Sequence, residues 1–390
     1  KSMFIVSIGA GKNQLPLIRA CKDLQCKIVG VDINPHAEGF PLCDFKIIES
    51  IYNYHEIYQS LKELLVFDDI AAIVTRSYGE ALRTVSYLCQ QFKIPHINYA
   101  MIDYCIDKSK FRTIANKTIT MPHCFTMGKN DKGNILTLSD ITFPCIIKPS
   151  QGHAKHNVQL IDSVQHLKQS IASMKHSTIM VEEYIEGDEI IVIGFVINKK
   201  FYICDISDKV LNAKPYFVDR MHLLPSTYYH YHNQLTSIGQ QIADLFLLES
   251  TPLLMECVIS NNTIYVIEAA CEFGGEYLAD YAIPARLHYD IFKAFITGIT
   301  TGKVELPKKS TTASVVKYIM GRQGRLTHYK QVENKKNCIH NEIFATIGDA
   351  IQFPENNHNR LGVIVTKGKT VEKAIKTANT VLEQMEIIIE

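Results

Sequence analysis

Short apolar runs alternate with segments of helical periodicity over the first hundred residues of the chain. The runs predict strands over 3–8, 27–31, 70–74 and 94–97, and the periodic segments predict helices over 13–25, 54–66 and 79–92. Strands that alternate with helices in this way pair into a parallel sheet. We therefore predict an α/β domain over residues 1–105.

The pattern changes after this first segment. A charged stretch at 106–117 and a second stretch at 162–175 have helical periodicity, whereas the run "FPCIIKP" at 143–149 predicts a strand. A polar loop at 150–157 follows that strand. These elements together predict a compact α+β unit.

Long apolar runs dominate the middle of the chain. Asn261-Asn262 separates two of them, and an Asn pair between apolar runs is a strong hairpin signal. The last segment mixes strands with helices and ends in a predicted helix over 370–385. We predict three domains, which cover 1–105, 106–309 with a subdomain at 118–182, and 310–390.

Composition argues against two classes of partner. The chain has 390 residues with 41 basic and 40 acidic side chains, and its formal net charge is +1. This balance gives no bulk electrostatic attraction to nucleic acid or to an anionic membrane. No apolar run approaches the roughly 20 residues that span a bilayer. We expect neither a signal peptide nor a transmembrane segment.

The eleven cysteines indicate a reducing compartment. They are scattered, form no C-x-x-C pair, and share no zinc-ligand spacing with the histidines. Most lie in apolar surroundings, as Cys21, Cys145 and Cys257 do. We interpret them as reduced core thiols of a cytoplasmic protein. The string "YYHYH" at 228–232 is interpreted as a surface loop and not as a metal site.

A glycine pair near the start raises the question of NAD. Gly9-Ala10-Gly11 follows the first apolar run and Asp32 ends the second, as in a dinucleotide-binding βαβ unit. The third glycine of that fingerprint, which lets helix and strand pack closely, is Gln14 here. An NAD enzyme stays open as one reading. We favour a Rossmann-like fold whose turn, a general anion site, serves structure or another substrate.

Two lysines stand where a nucleotide could bind. Lys148 lies at the end of the strand in "CIIKP", just before the polar loop, and Lys108 lies in "DKSKF". Two lysines that converge on a nucleotide could neutralise oxygens of its α- and β-phosphates. Each lysine alone is more often a solvated surface charge.

The string "VEEYIEGDE" at 181–189 is a strand that leads into an extended segment and a turn at Gly187. Such a segment can offer backbone N–H and C=O groups to an adenine edge, with a carboxylate accepting from the exocyclic amine. Glu189 could then take the ribose hydroxyls. The competing interpretation is an acidic surface hairpin.

Glu256 and Glu268 lie on the two arms of the predicted hairpin, so cross-strand pairing can place them side by side. Two neighbouring buried carboxylates repel each other unless a cation lies between them. Hard carboxylate oxygens suit Mg²⁺, which proteins hold with one or two carboxylates plus nucleotide phosphates. The pair therefore predicts a magnesium site.

These features are similar in order and spacing to the motifs of the ATP-grasp superfamily. The matching residues are Lys108, "FPCIIKP", the loop 150–157, "VEEYIEGDE", "LLMEC" and "VIEAACEFGGEYL". The chain resembles the carboxylate–amine ligase branch, with relatives in biotin carboxylase and carbamoyl-phosphate synthase, over nearly its whole length. The resemblance implies an α/β and α+β architecture: an ATP-grasp fold with an N-terminal Rossmann-like pre-ATP-grasp domain and a C-terminal α/β domain. In that family "PYFVDRMHLLPS" corresponds to a substrate-proximal strand and loop.

The resemblance also implies cofactors and residue roles. The two lysines would bind the phosphates of ATP, and the loop 150–157 would close over them. Glu182 and the backbone of Tyr184 and Ile185 would contact adenine, and Glu189 would hold the ribose. Glu256 and Glu268 would hold Mg²⁺. The implied nucleotide-binding residues are Lys108, Lys148, His153, Lys155, Glu182, Glu183, Tyr184, Ile185 and Glu189.

The chain departs from the family at three positions. Asn157 stands where relatives have Gly, and Asn tolerates positive φ better than most residues. Relatives follow the second metal carboxylate with Asn and then Arg, and here those positions are Ala270 and Glu272. Three explanations of Glu272 stay open: it binds an amino group of the substrate, Arg286 or Arg220 supplies the missing cation, or catalysis has been lost.

The resemblance implies an ATP- and Mg²⁺-dependent ligase that joins a small-molecule carboxylate to an amine through an acyl phosphate. Two alternatives stay open: a purine-pathway or carboxylase-type ATP-grasp enzyme, and a nucleotide-binding protein without catalysis. We expect no nucleic-acid or membrane partner, and a homodimer would match the relatives. Lys148, Arg286 and Glu272 are the candidate catalytic residues, and candidate substrate-facing residues are Arg76, Tyr78, Glu80, His222, Glu272 and Arg286.

Overall fold

The computed structural model describes residues 4–64, 70–128, 141–152, 156–175, 178–334 and 336–390. The first part of the chain contains β1 (Phe4–Ile8), α1 (Leu15–Asp23), β2 (Lys27–Asp32), β3 (Phe45–Ile48), α2 (Tyr54–Leu64), β4 (Ile70–Val74) and α3 (Glu80–Phe92). Its strands form a parallel sheet in the order β3-β2-β1-β4. The predicted parallel α/β arrangement is confirmed.

Two local predictions differ from the structure here. The predicted strand at 94–97 is wrong, because only Ile97 forms a bridge, to Leu248. The edge strand β3 was not predicted, because only Ile47 of its four residues is buried and the apolar pattern is therefore short.

The next part contains α4 (Ile102–Ile106), α5 (Lys108–Ala115), β5 (Cys124–Gly128), β6 (Cys145–Pro149), β7 (Gln159–Ile161), α6 (Val164–Ser173) and β8 (Thr178–Glu183). The four strands form an antiparallel sheet in the order β5-β8-β6-β7. The helix predicted over 106–117 is interrupted at Asp107, whose Oδ1 accepts the backbone N–H groups of Ser109 at 2.9 Å and Lys110 at 3.1 Å. This N-cap places Lys108 in the first turn of α5.

The middle of the chain contains β9 (Asp188–Ile197), β10 (Lys200–Leu211), β11 (Asp219–Leu224), α7 (His232–Leu245), β12 (Thr251–Ser260), β13 (Thr263–Ala270), α8 (Ile283–Leu287) and α9 (Ile291–Thr301). The predicted hairpin joins β12 to β13, and Asn261 and Asn262 have φ values of +48° and +64°. Neither α7 nor α9 was predicted, and "YYHYH" forms a short helical turn that leads into α7.

The last part contains β14 (Ala313–Ile319), β15 (Gly324–His328), β16 (Cys338–Ile343), β17 (Ala350–Ile351), β18 (Gly362–Gly368), α10 (Val371–Gln384) and β19 (Ile388–Ile389). An antiparallel sheet in the order β13-β12-β9-β10-β11-β14-β18-β16 takes strands from both the middle and the last part. Backbone pairing of β11 with β14 joins the two parts. The domain boundaries proposed from the sequence stay predictions.

Apolar side chains pack on both faces of this large sheet. On one face the rings of Phe111 and Phe246 stack with centroids 4.5 Å apart, which joins α5 to the end of α7. On the other face Phe195 and Phe273 pack on Phe295 of α9, in the same core as residues of α1. No helix in the described part of the chain is long and apolar enough to cross a membrane.

All eleven cysteines are free thiols, and eight of them are buried. Burial raises the pKa of Cys145 to about 11, which keeps its thiol protonated and unreactive at neutral pH. The prediction of core thiols is confirmed for these eight.

Candidate active site

Each of the two predicted phosphate-binding lysines is paired with a carboxylate. Lys148 lies on β6, and its Nζ is 2.6 Å from Oε1 of Glu182. Lys108, in the first turn of α5, donates a hydrogen bond of 2.6 Å to the carbonyl oxygen of Gly152, and its Nζ is 3.3 Å from Oε1 of Glu268. Neither lysine is the solvated surface charge that was the alternative.

Glu182 has two cationic partners that the sequence analysis did not predict. Its carboxylate is buried, with Oε1 on Lys148 and Oε2 2.5 Å from an Nη of Arg112. Burial by itself would raise the pKa of Glu182, but Lys148 and Arg112 outweigh burial and hold the pKa below its usual value. Its predicted adenine contact stays a prediction, because both oxygens already have cationic partners.

Arg112 was missed by the sequence analysis. Arg112 binds Glu182 and also donates to the carbonyl oxygens of Pro122 at 2.7 Å and Ile267 at 3.1 Å. It therefore connects α5 to the sheet β5-β8-β6-β7, through Glu182, and to β13, through Ile267. The only sequence signal was a buried position on the apolar side of an amphipathic helix.

The segment after β8 crosses the β12–β13 hairpin closely. A Cβ added at Gly187 would lie 2.3 Å from the carbonyl oxygen of Ile259. Among the described residues, no backbone hydrogen bond links Tyr184 or Ile185 to another residue, which leaves their N–H and C=O groups available to a ligand. The neighbouring Glu183 accepts from the backbone N–H of His123 at 3.3 Å.

The polar loop begins beside the lysines. The carboxylate of Asp107 accepts hydrogen bonds from Oγ of Ser150 at 3.4 Å and from the side-chain nitrogen of Gln151 at 3.3 Å. These bonds connect the start of the loop to the N-terminus of α5. Asn157 has a φ of +58°, a left-handed conformation that Asn adopts more easily than most residues. The predicted phosphate donors His153 and Lys155 lie outside the described residues.

Glu256 and Glu268 are direct cross-strand partners of β12 and β13. Their side chains are 24% and 31% exposed, so both carboxylates are partly accessible to solvent. Lys209 holds Glu256 at 3.1 Å and Lys108 holds Glu268 at 3.3 Å. Two adjacent, partly accessible carboxylates with nearby cations fit Mg²⁺, which prefers such hard oxygen ligands.

Lys209 on β10 is the second residue that the sequence analysis missed. Its ammonium is 1% exposed and lies 3.1 Å from Glu256, 3.3 Å from Glu189 and 3.3 Å from Asp219. Burial would lower the pKa of Lys209, but the three carboxylates raise it well above its usual value. The lysine therefore stays charged and connects the predicted ribose and metal carboxylates.

Asp219, His222 and Glu276 form what we call the acceptor pocket. One potential ligand atom from each of these residues lies within 4.8 Å of the other two. His222 is fully buried, and neither of its ring nitrogens makes a hydrogen bond with another described residue, although Nε2 lies 3.5 Å from Oε2 of Glu276. Among the same residues, Oδ1 of Asp219 is paired only with the ammonium of Lys209, at 3.3 Å. Because Lys209 and Arg360 already neutralise the two carboxylates, we interpret the pocket as a hydrogen-bond acceptor site rather than a metal site.

The last part of the chain supports this pocket. Arg360 binds Glu276 with two nitrogens, at 2.8 and 3.3 Å, and its guanidinium lies 3.5 Å from the ring centroid of Tyr318. Asn357 binds Asp219 through both its side-chain nitrogen, at 2.7 Å, and its side-chain oxygen, at 3.0 Å from the backbone nitrogen of Asp219. These contacts were not predictable from local patterns.

The backbone around Glu276 is constrained. Glu276 and Tyr277 have φ values of +59° and +60°, a region that residues other than Gly occupy at an energetic cost. A single π-helical turn, Leu278–Ala282, follows directly. Such features cluster at functional sites because the surrounding structure must hold them.

Glu272 lies between Glu268 and Glu276 in the sequence and is half-buried. Burial and the charges of Glu268 and Glu256 raise its pKa to about 7, whereas Lys108 and Arg76 oppose the shift. Arg76 itself pairs with Asp280 at 2.8 Å and donates to the carbonyl oxygen of Gly274 at 3.2 Å.

The remaining candidates lie in different surroundings. Arg286 pairs with the buried Asp205 at 2.8 Å, and Arg220 is exposed on β11. Glu80 pairs with Arg83 at 2.7 Å on the surface of α3. Their predicted roles stay predictions, but none of the three contacts Glu272.

The first glycine turn is satisfied without a dinucleotide. Asp32 accepts the backbone N–H groups of Ala10 and Asn34, each at 2.9 Å. The side chain of Gln14 lies against Gly9, donates to Ser77 at 3.1 Å and accepts from the backbone N–H of Arg76 at 2.8 Å. This favours the structural reading of the turn over the NAD reading.

Comparison with known proteins supports the resemblance to the ATP-grasp superfamily. A family model described as an ATP-grasp domain matches residues 141–280, and one described as L-amino acid ligase C-terminal domain 2 matches residues 318–390. The large chain of carbamoyl phosphate synthase from Helicobacter pylori is 21% identical over 260 residues, which are 64% of this chain and 24% of that one. The chain thus spans about a quarter of that relative.

Solved structures show the same fold. The L-amino acid ligase from Bacillus licheniformis superposes with a TM-score of 0.80 at 14% identity, covering 100% of this chain and 99% of that one. The biotin carboxylase domain dimer of 2-oxoglutarate carboxylase from Hydrogenobacter thermophilus, in complex with MgADP and bicarbonate, gives 0.73 at 15% identity, covering 99% and 90%. The chain therefore contains an ATP-grasp domain, followed by a C-terminal domain of the L-amino acid ligase type.

Proposed function

We propose that the chain is a ligase that uses ATP to join the carboxylate of an amino acid to an amine, forming an amide bond. The observation that carries the proposal is the cross-strand pair Glu256 and Glu268, with Lys108 and Lys209 each in contact with one of the two carboxylates. The match of residues 318–390 to an L-amino acid ligase domain supports amino acids as the substrate class.

The proposed reaction has two steps. A carboxylate oxygen of the first substrate attacks the γ-phosphorus of ATP, ADP leaves, and an acyl phosphate results. The amine nitrogen of the second substrate then attacks the acyl carbon, the bond from that carbon to the phosphate oxygen breaks, and the amine loses a proton. The protein contributes positioning and charge neutralisation rather than a covalent intermediate of its own.

The residues of the chain divide this work. Lys148 and Lys108 neutralise phosphate oxygens, and each lysine exchanges its present carboxylate partner for the nucleotide. Glu256 and Glu268 would hold Mg²⁺, which when bound offsets the charge of the transferred phosphoryl group. Lys209 keeps the carboxylates around it charged and in place. The four-stranded sheet β5-β8-β6-β7 would exclude water from the acyl phosphate.

The acceptor pocket suits the ammonium group of the amino acid. An ammonium carries three donors, and Asp219, His222 and Glu276 offer three acceptor atoms close together. His222 then gains the hydrogen-bond partner that it lacks within the described residues.

The test is a panel of amino acids, small carboxylates and amines incubated with Mg²⁺-ATP, in which ADP release and product mass are both measured. ADP with a new amide mass is the expected result. ADP without condensation would instead support a carboxylase-type or purine-pathway reaction. Bound ATP without any ADP would support a protein that has lost catalysis.

Two further proposals concern the state of the protein. We propose a cytoplasmic location from the reduced thiols, and a homodimer because the biotin carboxylase neighbour is described as a dimer. Sedimentation of the purified chain at micromolar concentration tests the second.

A further inference from the structure

Glu272 is a carboxylate without a hydrogen-bond or ion-pair partner among the residues that the structure describes. Among the described residues, no hydrogen bond and no ion pair within 4.0 Å involves its side chain. It is nevertheless half-buried, and an ionised carboxylate in such a place is costly unless a cation or a donor lies against it. A ligand that carries a positive charge can supply this partner.

The cations that act on Glu272 are already engaged. Arg76 is bound to Asp280 and to two backbone carbonyl oxygens, those of Asn13 at 3.0 Å and Gly274 at 3.2 Å. Lys108 is bound to Glu268 and to a loop carbonyl oxygen. A metal ion on Glu256 and Glu268 would neutralise those two carboxylates and leave Glu272 unpaired.

The acceptor pocket is a second place where polar atoms lack a hydrogen bond among the described residues. The fully buried His222 makes none through either ring nitrogen, although its Nε2 lies 3.5 Å from Glu276, and the nearest cation to Oδ1 of Asp219 is Lys209, at 3.3 Å. The ammonium of one amino acid satisfies that pocket. A further positive charge, supplied by the other substrate, is then needed for Glu272.

There is room for such a group. A Cβ added at Gly275, three residues after Glu272, or at Gly79 would meet no other atom within 4 Å, so the space beside each of these two glycines is open. Tyr78, which precedes Gly79, is 48% exposed and is close enough to Glu272 for the two to affect each other electrostatically. A flexible cationic side chain can reach Glu272 from this opening.

We propose that Glu272 binds a positively charged group of the amine substrate, so that the enzyme prefers an amine with a second cationic group, as in a diamino or guanidino acid. This inference rests on the proposed ligase function and names the substrate class of the same site. A charge-assisted hydrogen bond of this kind is worth about 1.5–3 kcal/mol, or at least a tenfold preference.

The experiment compares lysine with norleucine, and ornithine with norvaline, as the amine substrate, by ADP release and amide mass. These pairs have side chains of similar length and differ in the terminal ammonium group. We expect kcat/KM to be at least tenfold higher for the cationic member in the unaltered chain. In Glu272→Gln this preference should disappear while the KM for ATP stays within about twofold. Glu63→Gln, on the exposed face of α2, should keep the preference.

Each other result decides one question. Equal use of both members, or a preference that survives Glu272→Gln, would overturn this inference and leave the ligase function standing. Higher turnover of norleucine by Glu272→Arg than by the unaltered chain, with lysine not preferred, would also overturn it. No amide with any pair or in the wider panel would overturn the proposed function itself. Thermal unfolding of Glu272→Gln shows whether that variant is folded.

Discussion

We call the surroundings of Lys108, Lys148 and Glu182 the nucleotide side of the proposed site, and Glu272 with the acceptor pocket its substrate side. The charged groups of these two sides are paired differently. On the nucleotide side, Lys108, Arg112 and Lys148 each have a carboxylate partner before any ligand binds. On the substrate side, Glu272 has no hydrogen-bond or ion-pair partner among the described residues, and the ring nitrogens of His222 make no hydrogen bond there. The first arrangement presents cations that can exchange a carboxylate for a phosphate. The second arrangement waits for donors, and its chemistry therefore indicates what the substrates must bring.

Lys209 stands between the two sides. It contacts Glu189 and Glu256 on the nucleotide side and Asp219 on the substrate side. Binding on either side is expected to alter the charges that surround this one ammonium. We therefore expect this single buried lysine to couple the proposed phosphate transfer to substrate binding.

Glu268→Gln should have the largest effect on activity. It removes one of the two carboxylates proposed to hold Mg²⁺, which is also the partner of Lys108, while preserving the size of the side chain. We expect turnover to fall by about a thousandfold, because charge stabilisation of the transferred phosphoryl group is the main catalytic contribution. Steady-state ADP release against Mg²⁺ concentration measures it, with Glu63→Gln as the control. A near-normal rate would refute the metal assignment.

Lys209→Met should lower both activity and stability. It leaves three carboxylates around a buried position without their shared cation, and breaking a buried ion pair costs about 3–5 kcal/mol. Urea unfolding measures the free energy, and ADP release should fall by about a hundredfold. Lys200→Met, an exposed lysine at the start of the same strand, is the control. Full stability of Lys209→Met would show that the three carboxylates do not depend on it.

Arg360→Lys should separate the two sides. Lysine cannot reproduce the two-nitrogen contact with Glu276 or the stacking on Tyr318. We expect the KM for the amino acid to rise about tenfold while the KM for ATP is unchanged. Arg325→Lys, on an exposed strand nearby, should leave both constants unchanged. Equal rises in both constants would mean that Arg360 acts on the whole fold.

Arg286 and Asp205 should affect stability more than activity. Burial raises the pKa of Asp205 to about 6, although Arg286 opposes the shift. Because the folded state holds this proton more tightly, the contribution of Asp205 to stability is complete below its ordinary pKa of 3.8 and is lost as the pH rises through 6.

The measurement is the unfolding free energy of the unaltered chain minus that of Asp205→Asn, between pH 4 and 8. This difference should fall up to about pH 6–7 and then stay level. Arg286→Lys should keep both KM values within about twofold. A tenfold loss of turnover in Arg286→Lys without a loss of stability would instead support Arg286 as the missing cation.

Much of the nucleotide side could be predicted because each of its motifs is local. Lys148 ends an apolar strand, and Glu256 and Glu268 flank an Asn-Asn turn, so strand periodicity and turn chemistry place them. Arg112 was missed because a buried arginine on an amphipathic helix has no local signal of its own.

The substrate side could not be predicted in the same way. Asp219 meets Asn357 across 138 positions of the chain, and Glu276 meets Arg360 across 84. Such contacts depend on the pairing of β11 with β14, which no periodicity in the sequence indicates. Glu272 was recognised as a departure, but its lack of a partner could be seen only in the folded chain.

The central claim is that a carboxylate is activated as an acyl phosphate in this site. The most direct measurement supplies Mg²⁺-ATP, an amine, and the carboxylate substrate from the panel labelled with ¹⁸O in both carboxylate oxygens. The account predicts that one labelled oxygen appears in inorganic phosphate for each amide formed, as seen by mass spectrometry. Amide formation with unlabelled phosphate would contradict it.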